Sequence, residues 1–354
     1  MSRLKRFSMF AFVGSTVAPG IAATLHFSPL VSAVSLLLAL PVVLLTYYTV
    51  KTGWEDQGLY AYVRRANLGL SRAFLVLWSA SYYLYVVYTA IYVPYYVLGL
   101  DGVIPVVLSL AIAVSVSLLV SFADPLYAFP AIFLVQVAFS LPFGWKPGVG
   151  FGPTDLNSLF VDVLSSSLIV VCITLSTFVR GDAGRDSPFI LYAFAIFAVV
   201  LLYGSFLVPT SATVVASSLG SYGLILAELT AINNLLRPTA TRGGLVALNF
   251  STIPLVLLGN INYSAFYNSL IVPSLSFLYL SLFVFAVSTL ASLRGFRRVL
   301  SLVSAGLFAY GEYSVVAEGT GYLLYEAIAS LLAGVVIITL SAMKVNKVHD
   351  KNKK

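Results

Sequence analysis

The chain is poor in the residues that build soluble surfaces and reactive centres. Charged residues make up 9% of its 354 positions, against roughly 25% in soluble domains. Cys172 is the only cysteine, which excludes an internal disulfide framework and a cysteine metal site. The two histidines, His26 and His349, lie at opposite ends of the chain and suggest no metal pair. There is no G-x-x-x-x-G-K-[ST] loop and no H-E-x-x-H, and the short loops leave no room for a nucleotide-hydrolysing domain. No credible nucleophilic triad is present. No resident cofactor is expected. A formal charge of +7 would suggest nucleic acid in a soluble protein, but here the basic residues are distributed by topology.

Hydrophobic residues fill 60% of the sequence, and the mean hydropathy is +0.97. A membrane span needs about 20 apolar residues. On that length the chain reads as an all-α polytopic membrane protein with about twelve transmembrane helices, at 7–26, 29–50, 71–99, 102–122, 127–144, 159–179, 188–208, 212–236, 244–260, 266–293, 297–316 and 319–343. No cleavable signal pattern precedes them, so the first run is expected to stay as a span. With both termini cytoplasmic, every lysine and arginine except Lys146 falls on the inner side, as the inside-positive rule requires of a multi-pass protein of the cell membrane. The basic tail 344–354 reads as a stop-transfer flank or as a contact for anionic lipid. Residues 7–144 and 159–293 are blocks of nearly equal length with five spans each, an odd number, so they would enter the membrane from opposite sides. This is the inverted-repeat plan of many secondary transporters, followed by two additional helices at 297–343.

The first span holds Gly14, Ser15, Thr16, Ala18, Pro19 and Gly20. Pro19 lacks an N–H and its ring clashes with the preceding turn, so the helix should break just before it. In lipid such a break is tolerated where the freed backbone faces protein or a water-filled cavity. A packing helix with a simple kink would carry the same residues. In the third span Trp78, Tyr82, Tyr85, Tyr88, Tyr92 and Tyr96 recur at steps of three and four and share one face. The central Tyr85 and Tyr88 would either pack between helices or line an aromatic cavity suited to an apolar or cationic solute. Glu228 lies inside the eighth span, where a carboxylate must pair, face water or carry a proton. Thr230 and Asn233 are its nearest polar neighbours in sequence. Proton coupling, a structural ion pair and binding of a substrate amine are all open to it. Glu312 and Glu326 lie in the last two spans and read as more peripheral.

The loop 57–65, Gln-Gly-Leu-Tyr-Ala-Tyr-Val-Arg-Arg, resembles the segment before the third span of amino acid permeases of the amino acid–polyamine–organocation superfamily. Ala18-Pro19-Gly20-Ile21 looks like that family's first-span break, with Ala18 in place of its first glycine. Residues 233–244 are similar to its eighth-span exit. The resemblance implies the leucine-transporter fold and alternating access around a midplane site. It implies that free N–H groups of Thr16, Ala18 and Gly20, exposed by the break at Pro19, with the hydroxyls of Ser15 and Thr16, hold a substrate carboxylate. A partner break in the sixth span would then fall at Ser165, Ser166 and Ser167, which could equally be helix-packing serines. The implied substrate is an amino acid, polyamine or related organic amine, driven by a proton or sodium gradient, with Glu228, Thr230 and Asn233 as coupling residues. A passive channel or facilitator for a small polar solute is the alternative. A membrane enzyme is disfavoured by the lack of clustered acid–base residues at one face.

Overall fold

The computed structural model describes residues 3–25, 27–141, 170–206 and 210–351, with side chains as far as Met343. These residues form helices and connecting turns without strands. The helices are α1 (Arg3–Thr16), α2 (Pro19–Ala22), α3 (Pro29–Thr52), α4 (Leu59–Ala66), α5 (Leu68–Tyr92), α6 (Val103–Phe122), α7 (Phe129–Ser140), α8 (Pro188–Gly204), α9 (Ser211–Leu236), α10 (Arg242–Phe250), α11 (Thr252–Gly259), α12 (Tyr263–Ser292), α13 (Phe296–Ala317) and α14 (Tyr322–Lys351). A π-helical turn, Val93–Val97, extends α5, and a 3₁₀ segment, Cys172–Phe178, precedes α8.

Eight stretches among the described residues are long and apolar enough to cross a membrane, and two shorter apolar helices lie at Pro125–Ser140 and Pro188–Gly204. The first expected span is the broken pair α1–α2, and the sixth enters the described residues only at its end, 170–179. Helix starts follow local chemistry. Ser28 caps α3 by accepting from the Val31 N–H, and Asn67 caps α5 by accepting from Gly69 and Leu70. Thr210 and Thr213 form a reciprocal capping box at α9. These side chains satisfy backbone donors that the first helical turn leaves unpaired.

Helix α9 is the central element. It packs on α2, α5, α6 and α7, and nearly all of its inner half is buried. Helix α12 packs on α5, α13 and α14. One end of the bundle gathers the basic residues: Lys5, Arg180 and Arg237 line a single cleft together with Asp56 and Asp124, and Arg297 lies over the Tyr48 ring. This end is called the basic face below.

Candidate functional site

The break in the first span is real and sharply formed. Between α1 and α2, Ala18 has φ 42° and ψ 63°, and it is the only non-glycine residue at positive φ among the described residues. A side chain in that left-handed region costs about 1–2 kcal/mol. Ala18→Gly is therefore expected to stabilise the protein by about 0.5 kcal/mol, the left-handed penalty less glycine's extra unfolded-state freedom. A thermal melt in detergent reads it.

The polar groups of the break turn inward. The Gly20 N–H donates to Gln136 Oε1 at 3.2 Å, and Gln136 Nε2 donates to Ser15 Oγ at 3.3 Å. Ser140 Oγ donates to the Pro19 carbonyl, and Thr16 Oγ1 donates to the Val13 carbonyl at 2.7 Å. Ser15, Thr16 and Ala18 are fully buried. Gln136 of α7 thus occupies one of the donors expected to meet a substrate carboxylate, the Gly20 N–H. Nothing in the sequence pattern singles it out, because a lone glutamine in an apolar run looks like any helix-packing polar residue.

Beside α2 lies a cavity of about 310 Å³, lined by Tyr85, Tyr88, Tyr92, Cys172, Ser221 and Tyr267 together with apolar side chains that include Ile21 and Leu25. Tyr85 and Tyr88 are 4.8 Å apart between ring centroids, and Tyr88 meets Tyr267 edge-on at 5.4 Å. Away from the basic face the rings continue as a stack: Tyr92 on Tyr267, Tyr96 on Tyr92, and Tyr95 on Tyr263 at 4.0 Å. The π-helical turn after Tyr92 re-aims Tyr95 and Tyr96 toward α12. Toward the basic face the floor is Trp78, 4.5 Å from Tyr82 and 4.1 Å from Phe178. The expected aromatic face of α5 is therefore present. Tyr267 and Cys172 complete it from two other elements.

Glu228 is fully buried on α9, and among the described residues neither carboxyl oxygen has a hydrogen-bond partner. Tyr82, Tyr85, Tyr88 and Cys172 are within electrostatic range of it. Thr230 and Asn233 do not join it. Thr230 Oγ1 bonds the Leu226 carbonyl, and Asn233 pairs with Asn249 of α10, which in turn bonds Ser121. The steps of two and five from Glu228 turn both residues to other sides of the helix. Ser165, Ser166 and Ser167 lie outside the described residues.

The floor is latched at the basic face. Arg6 Nε donates to Asp186 Oδ1 at 2.9 Å, Arg6 Nη2 donates to the Arg185 carbonyl, and the Asp182 N–H donates to Asp186 Oδ2. Trp54 Nε1 donates to the Ser176 carbonyl at 3.3 Å, and Asn234 Nδ2 to the Phe178 carbonyl at 2.9 Å. Arg6→Ala leaves the buried Asp186 without its cation, a cost of about 1–2 kcal/mol, or a five- to thirty-fold shift toward an open latch. Thiol labelling of Ser176→Cys, in a Cys172→Ser background, should rise by that factor. Unchanged labelling would show that the pair does not hold this end shut.

No protein-family model matches the chain, and no curated protein matches it in sequence. Solved structures of a manganese transporter of Eremococcus coleocola share its fold. One point mutant of that protein superposes with a TM-score of 0.60 at 15% identity, over 97% of this chain and 95% of the other. Its complex with an aromatic bis-isothiourea substituted compound gives 0.58 at 15% identity, over the same shares. The amino acid permease resemblance is overturned by this finding: the short glycine–tyrosine and proline–glycine motifs that carried it fit a loop helix and a broken span wherever these occur. The fold of this chain is one it shares with a manganese transporter.

Proposed function

We propose that this protein is a secondary active transporter that moves a small organic amine by alternating access, coupled to protons through Glu228. The observation that carries the reading is Glu228 itself, a fully buried, unpartnered carboxyl within electrostatic range of Tyr85, Tyr88 and Cys172, which wall the cavity at the helix break. A buried carboxylate is costly and persists where it has work to do. The tyrosine rings offer π faces to a cation, and Glu228 offers the opposite charge. With the N–H of Gly20 taken by Gln136, a cargo bearing a carboxylate loses its expected anchor, so the fit favours an amine without one.

Manganese, the cargo of the structural neighbour, suits these residues poorly. Ala18, Pro19, Gly20 and Ile21 bring no ligating side chain to the break, and no three His, Cys, Asp or Glu side chains gather among the described residues. Hard divalent cations need several oxygen ligands.

The packing pattern supports two inverted blocks of five spans, 7–144 and 159–293. Helix α1 meets the 172–178 segment, α3 meets α8, α5 meets α9, and α6 meets α10 and α11. The contact of α7 with α9 is mirrored by that of α12 with α5. Corresponding elements of two halves pair this way around a pseudo-two-fold axis. On this reading the chain has twelve spans, and its basic face is cytoplasmic with both termini. The latch at that face closes the cavity from the inside, whereas a passive channel would hold a continuous polar path.

The test is uptake of labelled organic amines, amino acids and manganese into proteoliposomes under an imposed pH gradient, then a sodium gradient. Accumulation of an amine driven by the pH gradient is expected. Equilibration without accumulation would sink active transport, and accumulation of manganese alone would sink the cargo assignment.

A further inference from the structure

At the basic face α9 turns into α10 through residues 237–241. Beside this turn lies a cavity of about 450 Å³ between the ends of α6, α9 and α10. The turn is fixed by its own backbone: the Thr239 and Ala240 N–H groups both donate to the Leu236 carbonyl, and Thr241 Oγ1 accepts from the Gly244 N–H at 3.1 Å. Arg237 opens the turn and Arg242 follows it, and both line the cavity. The other polar lining is Ser121, Asn233 and Asn249, with no aspartate or glutamate. The two asparagines are buried and bond each other, so they form a closed floor. Asn249 Nδ2 also donates to Ser121 Oγ at 2.9 Å. Ser121 itself donates to no group among the described residues, whereas Ser115 on the same helix gives its proton to the Ile112 carbonyl. The side chains thus present donors: two guanidinium groups, and a hydroxyl whose oxygen is already engaged.

The inside-positive rule accounts for charge at this face but not for a cavity built of donors. Several basic side chains of the face have partners of their own: Arg6 pairs with Asp186, Arg65 with Glu55, and Arg297 and Lys51 lie over tyrosine rings. Neither Arg237 nor Arg242 forms an ion pair among the described residues. Arg237 also borders the cleft that holds Asp56 and Asp124, but the Asp124 carboxylate accepts from the Leu126 N–H instead. The cavity lies at the edge of an apolar outer surface. Val114, Leu118 and Phe122 recur at steps of four on α6 and are 36%, 45% and 64% exposed, a stripe that ends at the cavity wall with Phe122. The Phe122 ring meets Phe250 of α10 at 6.1 Å between centroids. The volume exceeds the needs of one small ion and falls in the range of small-molecule sites, roughly 300–1,000 Å³.

We infer that this cavity binds the phosphate headgroup of an anionic lipid, with Arg237 and Arg242 on the phosphate oxygens, the Ser121 hydroxyl donating to the same group, and the acyl chains running along Phe122, Leu118 and Val114. Guanidinium forks match phosphate oxygens in pairs, and basic pockets between membrane helices take lipid headgroups in this way. The chemistry recognised is a phosphate anion. The apolar stripe that adjoins it assigns the source to a lipid rather than to phosphate free in solution. The site is separate from the tyrosine-walled cavity and depends neither on the cargo nor on proton coupling.

The experiment is native mass spectrometry of the full chain released from an uncharged detergent, titrated with phosphatidylglycerol or phosphatidylcholine, with glycerol phosphate as the free headgroup. The first phosphatidylglycerol should bind more tightly than the first phosphatidylcholine. Arg237→Gln combined with Arg242→Gln should weaken it about thirty-fold, as expected for two lost arginine–lipid contacts. Arg72→Gln combined with Arg298→Gln removes the same charge from exposed positions of the same face and should leave the affinity unchanged. Monodisperse elution checks the fold. Should the first pair of variants fail to fold, Arg237→Lys with Arg242→Lys keeps the charge, loses both forks and should still weaken binding several-fold. Equal affinity for the two lipids, or equal weakening by the Arg72 and Arg298 pair, would overturn the site. Displacement of the lipid by glycerol phosphate at equal concentration would overturn the lipid as its source.

Discussion

Glu228→Gln is expected to abolish pH-driven accumulation while leaving exchange of cargo across the membrane at equal pH. The glutamine has nearly the same volume and no charge, so packing of α9 against α2, α5 and α7 should survive. What disappears is a fully buried, unpartnered carboxyl that can gain and lose a proton. A pH gradient of one unit is worth about 1.4 kcal/mol per proton, a ten-fold concentration ratio. Wild type carrying one proton per cargo should approach that ratio, and the variant should stop at equality. The stability readout separates the two roles of the side chain. Burying an unpaired carboxyl costs several kcal/mol, so Glu228→Gln should melt at the same temperature as wild type or higher. A variant that both unfolds and fails to transport would mark Glu228 as a structural partner of a group outside the described residues.

Much of the architecture was legible in the sequence because lipid imposes a long and simple rule. A run of about 20 apolar residues, bounded by arginine on one side, leaves few readings. The helices at 29–52, 211–236 and 263–292 begin or end within a few residues of the expected spans. The break before Pro19 was also legible, since proline acts on its own helix. The expected span over 244–260 is interrupted at Ser251, where α10 gives way to α11, because Pro254 has no N–H for the Phe250 carbonyl and its ring crowds that group. Tertiary bonds hold the interruption in place: the carbonyl of Asn249 accepts from Ser117 of α6, and its side chain is engaged by Asn233 and Ser121. The site was legible only in part, because tertiary contacts of this kind define it. Tyr85, Tyr88 and Glu228 announce themselves by periodicity or by charge in an apolar run. Gln136, Cys172 and Tyr267 gain their meaning from which helix they face, and a single chain does not record that. Thr230 and Asn233 show the opposite failure, since closeness in sequence to Glu228 placed them on different sides of the helix.

Gly20→Ala should be the most damaging small substitution in the chain. A Cβ at this position would lie 1.9 Å from the carbonyl oxygen of Ala216 and 2.6 Å from its carbon. Both are backbone atoms of α9, so no side-chain rotation relieves the overlap, and α2 must move as a body. Overpacking of this kind costs about 3 kcal/mol or more. The move would also pull the Gly20 N–H from Gln136 Oε1 and open the contact that walls the cavity through Ile21. Truncating the partner side chain, as in Ala216→Gly, should give no rescue, because the clash is with the main chain. Gly243→Ala is the matched control: it lies at the start of α10 with nothing within 4 Å, and its better helix propensity should raise stability by up to about 1 kcal/mol. Melting temperatures of the four proteins in one detergent decide the matter. If Gly20→Ala melts with wild type, the approach of α2 to α9 is looser than the geometry requires. If Ala216→Gly restores it, the obstruction is a side chain after all. If neither occurs and transport is lost with the fold, the glycine is there to let the broken helix rest directly on the backbone of α9, and the break is held in place by the same contact that leaves it a cavity to face.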